Sequence, residues 1–146
     1  MRKAILLTSL VAGLLDGLAA LVMNLKVGAV RIFQFIASGL FGKQAFGGGW
    51  WMVALGMLIH FFIAFIWVWL FFACCKALKL YGPKLVFLGT FYGIVVWVIM
   101  NLAVLPLSKI PSTPFNWLSA VNGAVILMLA VGLPAGVGAY RYFPKK

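Results

Sequence analysis

Four stretches of this chain, residues 4–25, 50–75, 85–105 and 117–139, are each apolar for longer than the roughly 18 residues at which a helix can cross a bilayer. No other feature restricts the fold as much. In hydrocarbon every backbone N–H and C=O must find a partner within the chain, and unbroken apolar runs without alternation meet that demand as α-helices. Composition agrees, with 66% of residues hydrophobic and 9% charged, against about 25% charged in a globular domain. The expected fold is all-α, a bundle of four transmembrane helices that makes one membrane domain over residues 1–146, with loops too short for a soluble domain. The first run follows Met1, Arg2 and Lys3 as a secretory leader would. Asp16 in its middle and the lack of a good small-x-small cleavage site make it a helix that stays.

The connections differ in character. Between the first two spans Arg31, Gln34 and Ser38 fall at i, i+3 and i+7, surrounded by Phe33, Ile36, Leu40 and Phe41. This pattern predicts an amphipathic helix over 29–42, either resting on lipid in the interface or re-entering the bundle as the lid of a cavity. Gly42 ends it, and Gly47, Gly48 and Gly49 form a flexible turn into the next span. In the third connection Pro106, Pro111 and Pro114, with Ser108, Ser112 and Thr113, read as an extended segment incompatible with helix. Pro134 should kink the fourth span by depriving the Ala130 carbonyl of its usual donor.

The net charge is +11. No basic run interleaved with aromatics lies outside the apolar segments, so the partner of this charge is the head-group layer of a lipid bilayer and not nucleic acid. Arg2, Lys3, Lys76, Lys79, Lys84, Arg141, Lys145 and Lys146 share one side of a four-span protein, and Lys26, Arg31, Lys43 and Lys109 the other. That bias places both termini in the cytoplasm. Trp50, Trp51 and Trp117 then lie at the outer interface, and Trp67, Trp69, Tyr81, Tyr140 and Tyr142 towards the inner one. Trp97 is too deep for either belt and reads as packing.

Asp16 is the only acidic residue. An ionised carboxylate at the centre of a membrane helix costs about 2.5–3.5 kcal/mol on insertion scales. At about 1.5 Å per residue, Asp16 and the single histidine, His60, both fall near the midplane of a core roughly 30 Å thick. An intramembrane pair is therefore the foremost candidate site, as structural glue, a proton relay, or part of an ion or substrate site. Asn101 and Asn122, at a common depth in the outer third, are expected to bond between helices, and with Gln34 and Ser38 they are the candidate polar lining. Thr8, Ser9 and Thr90 can bond their own helix backbone. One histidine, one aspartate and Cys74-Cys75 do not make a metal set, no cofactor is implied, and no catalytic motif is present.

Three small-xxx-small strips, Gly13/Gly17, Gly89/Gly93 and Gly132/Gly136, predict close helix packing within the protomer or between protomers of a homo-oligomer or larger complex. A faint repeat overlaps them, because the first and third spans each carry such a strip followed by Met-Asn-Leu, at 23–25 and 100–102.

The segments QFIASGLFG (34–42) and AFGGG (45–49), with LIHF (58–61), MNLAVLPLS (100–108) and GLP (132–134), resemble a group of small bacterial inner-membrane proteins. The resemblance runs from the first span to the fourth. It implies four spans with an oily first connection and carries no activity with it. The sequence-level expectation is an accessory or structural subunit of a membrane complex. The alternatives are an oligomeric transporter or channel using Asp16 and His60, and a protein that binds lipid or a lipophilic ligand.

Overall fold

Apolar length becomes helix throughout. A computed structural model describes residues 1–110 and 116–143, and among these all regular structure is helical. Four helices are long and apolar enough to cross a membrane: α1 (Arg2–Met23), α3 (Gly49–Ala77), α4 (Lys84–Leu107) and α5 (Trp117–Tyr142). The shorter α2 (Ala29–Phe41) and a 3₁₀ segment, Gly42–Gly47, join α1 to α3. Pro111, Ser112, Thr113 and Pro114 of the third connection, and Lys145 and Lys146 of the tail, lie outside the described residues.

The termini of these helices follow local chemistry. Asn116 caps α5 by accepting a bond from the Ser119 N–H at 3.0 Å. Gly28 (φ +82°) and Gly42 (φ +62°) bracket α2 in backbone conformations that L side chains resist. The Gly82 N–H donates to the Phe143 carbonyl at 3.2 Å, which holds the α3–α4 connection against the end of α5.

Pro106 does not belong to an extended loop; it lies in the last turn of α4. Ahead of it the helix widens to a π turn over Met100–Val104, and the Leu105 N–H reaches back to the Met100 carbonyl. The same device precedes Pro134, where Met128–Gly132 is π-helical and the Leu133 N–H bonds the Met128 carbonyl. Proline lacks an N–H and crowds the carbonyl four residues back. A five-residue turn takes that bulk without breaking the span.

One half of the bundle is densely packed. Ile5 and Ala12 of α1, Val68 and Phe72 of α3, Leu85 of α4 and Ala135 of α5 form a buried core, all at the end that carries the N-terminus. Above it Trp67, Val96 and Val131 make a second cluster, and the Tyr92 hydroxyl donates across to the Trp67 carbonyl at 3.0 Å. Trp67 is thus a buried residue and not part of an interfacial belt, because α3 turns that position towards α4 and α5.

The glycine strips are occupied inside the chain. A Cβ on Gly89 would meet the backbone of Gly136, and one on Gly93 the backbone of Met128. Gly132 and Gly136 face α4 in return, against the carbonyls of Gly89 and Leu85. α4 and α5 therefore touch backbone to backbone. In α1 the strip serves α3: a Cβ on Gly13 would lie 2.6 Å from the Phe61 ring, and one on Gly17 3.3 Å from His60 Nε2.

α2 is seated on α3, where Gly56 leaves room for the Phe33 carbonyl. The polar stripe turns inwards, with Gln34 and Ser38 buried alongside Ala37. The Ser38 hydroxyl satisfies itself on the Phe35 carbonyl at 2.6 Å. The far end of α2 is tied by the Lys109 N–H, which donates to the Gly39 carbonyl at 2.9 Å.

Candidate functional site

The half of the bundle flanked by α2 is hollow. A partly open cavity of about 1220 Å³ is lined by α1, α2, α3, α4 and α5, above the roughly 300–1,000 Å³ usual for small-molecule sites. Trp67, Val96 and Val131 form its floor, where the packed core begins. Its walls are mostly aliphatic, as at Met23, Ile63, Met100 and Ile126, and Phe35 and Leu40 of α2 close one side. The first connection is therefore a wall of this cavity. Gln34 and Ser38, expected in the lining, are not among the lining residues. The face of α2 that carries them is spent on the contact with α3.

Both members of the intramembrane pair line the cavity. His60 Nδ1 lies 4.0 Å from Asp16 Oδ2, beyond direct hydrogen-bond reach. The other ring nitrogen, Nε2, is 2.9 Å from the Gly13 carbonyl. A carbonyl only accepts, so Nε2 carries the hydrogen, and in the neutral ring Nδ1 is left as an acceptor. Glycine at 13 and 17 makes this approach feasible by letting the imidazole reach the α1 backbone. Phe33 and Phe61 set their rings edge-on to the imidazole, with centroids at 6.4 and 5.5 Å. The Asp16 side chain is 26% exposed and that of His60 11%, so the carboxyl is the part that opens to the cavity.

The two Met-Asn-Leu segments meet at this cavity. Asn24 donates its side-chain N–H to the Ala20 carbonyl, and Asn101 donates to the Trp97 carbonyl, each at 2.9 Å and each four residues back. Both line the cavity. The expectation that Asn101 bonds another helix is corrected: its partner is instead the Trp97 carbonyl of its own helix, which a side-chain amide can reach four residues back. Asn122 is a lining residue on α5. Trp97 lines the cavity too, and a Cβ on Gly123 would come within 2.9 Å of its Nε1. Near the first turn of α2, Arg31 lines the same space, with its guanidinium carbon 5.7 Å from the Phe46 ring centroid.

Sequence reading overlooked Asn24 and Trp67 as lining residues. The repeat of Met-Asn-Leu was the available signal for the first. For Trp67 nothing in one dimension separates a belt residue from a buried one.

Set against protein-family models, curated proteins and solved structures, the chain matches none of them.

Proposed function

We propose that this multi-span membrane protein binds lipid-soluble, amphipathic small molecules in the cavity between its spans, without chemical conversion. The observation that carries the proposal is a space of about 1220 Å³ with aliphatic and aromatic walls and a few polar groups. That is the composition of a small-molecule site. A dense core closes one end of the space, which favours a pocket over an open pore. With the positive-inside bias, the packed half and both termini face the cytoplasm, and the cavity belongs to the outer half of the membrane.

An accessory-subunit role draws no support from the glycine strips, which are used within the chain. Transport is the second reading, favoured by Asp16 and His60 lying in the cavity itself. It requires ligand flux in proteoliposomes that stops with Asp16→Asn.

The test of binding uses Trp67 and Trp97, which both line the space. A brominated long-chain alcohol titrated into nanodiscs should quench tryptophan emission saturably. The saturable component should disappear in the Trp67→Phe/Trp97→Phe variant and weaken in Ala20→Leu, which adds bulk to the α1 wall. Quenching that rises linearly with bromide content and is indifferent to these substitutions would show only bulk lipid contact, and would refute the binding proposal.

A further inference from the structure

Asp16 and His60 pose a counting problem. The Gly13 carbonyl, 2.9 Å from Nε2, fixes the ring hydrogen on that nitrogen. An ionised Asp16 and a neutral His60 then present two acceptors to each other across 4.0 Å. Two lone pairs at that separation repel unless a positive charge or a donor lies between them. Among the described residues no side chain donates to either atom. Among the polar side chains that line the rest of the cavity, Asn24 of α1, Asn101 of α4 and Asn122 of α5 do not titrate. Arg31, from α2, is the remaining charged side chain that lines the cavity among the described residues, and its guanidinium stacks on Phe46.

We propose that Asp16 and His60 together hold one positive charge at a time, either a proton or the ammonium group of a lipid-soluble amine, so that the amine enters the cavity in exchange for a proton. This rests on the ligand-binding reading above and names the ligand class. Either occupant leaves the pair neutral overall, the least costly state at mid-bilayer depth. An alkylammonium has three N–H donors, enough for Oδ2, Nδ1 and a further acceptor. Trp67 and Trp97 line the same space, and aromatic rings attract an organic cation that comes within about 6 Å of them.

The exchange sets a pH dependence. As pH falls the proton competes for the pair and amine affinity declines. As pH rises past about 10.4, the range of a lysine-like ammonium, the ligand loses its own charge and affinity declines again.

Calorimetry on the full chain in nanodiscs tests this with decylamine and 1-decanol, which share a chain and differ in charge. Titration in two buffers of different ionisation enthalpy counts the protons released. The expected result is at least tenfold tighter binding of decylamine than of decanol, with about one proton released per amine. Asp16→Asn should bring the ratio of decylamine to decanol affinity to about one and abolish the proton release. His60→Gln keeps a donor for the Gly13 carbonyl but has no second ring nitrogen, so the ratio of decylamine to decanol affinity should fall most of the way to one. Equal affinity for the two probes, or amine binding with no proton release, overturns the exchange and leaves the cavity reading intact. Failure of both probes to bind overturns the cavity reading, and the exchange with it.

Discussion

The seam between α4 and α5 yields a sharp quantitative prediction. A Cβ at Gly89 would sit 2.5 Å from the Gly136 nitrogen and 2.7 Å from the Gly132 carbonyl oxygen, whereas ordinary contact begins near 3.4 Å. These neighbours are backbone atoms of a long helix and cannot rotate away, so Gly89→Ala must push the spans apart by about 1 Å. Overpacking of this kind costs about 1–3 kcal/mol. Against it stands the gain of about 0.5–1 kcal/mol for alanine over glycine within a helix. The net expectation is a loss of about 1–2 kcal/mol. Gly47→Ala is the internal control, since nothing lies within 4 Å of its added carbon; it should stay within about 0.5 kcal/mol of the parent. Reversible unfolding in mixed micelles, with SDS mole fraction as the denaturant and circular dichroism as the readout, measures both. Combining Gly89→Ala with Gly136→Ala should cost less than the sum of the two, because both open the same gap. If Gly89→Ala were as stable as the parent or more so, backbone contact along the strip could not be what holds α4 to α5.

Other consequences are open to measurement. Gly56→Ala places a methyl against the Phe33 carbonyl, so amide hydrogen exchange over Ala29–Phe41 should accelerate while that of Lys84–Leu107 stays unchanged. Tyr92→Phe removes the bond to the Trp67 carbonyl and should lower stability by about 0.5–1.5 kcal/mol, read in the same micellar titration. The proposed orientation predicts that a cysteine at Lys43 is labelled from outside intact cells and one at Lys79 is not, in a Cys74→Ser/Cys75→Ser background. Reversal of that pattern would invert the topology and place the cavity on the cytoplasmic side.

Much of the architecture is legible in one dimension because bilayer thickness acts as a ruler. The predicted spans 4–25, 50–75, 85–105 and 117–139 match the observed helices to within about three residues at each end. α2 was foreseen in place and length from the spacing of Arg31, Gln34 and Ser38, but not in orientation. An amphipathic pattern names a polar face without saying whether water or protein receives it. Here Gly56 admits the Phe33 carbonyl, so the polar face turns towards α3. Pro106 misled for a related reason. Proline announces a missing donor, and whether the chain breaks or widens into a π turn depends on the helices packed around it.

The candidate site divides along the same line. Hydropathy and helical rise alone determined that Asp16 and His60 share a depth, because depth is a property of each span taken singly. That they lie 4.0 Å apart, that the Gly13 carbonyl selects the histidine tautomer, and that a cavity opens beside them depended on how the helices rotate about their axes. Rotation is set by side-chain packing between spans, where small residues at 13, 17, 56, 89 and 136 decide which backbones approach. Dense packing at one end and a wide space at the other thus arise from tertiary contacts that no single span encodes.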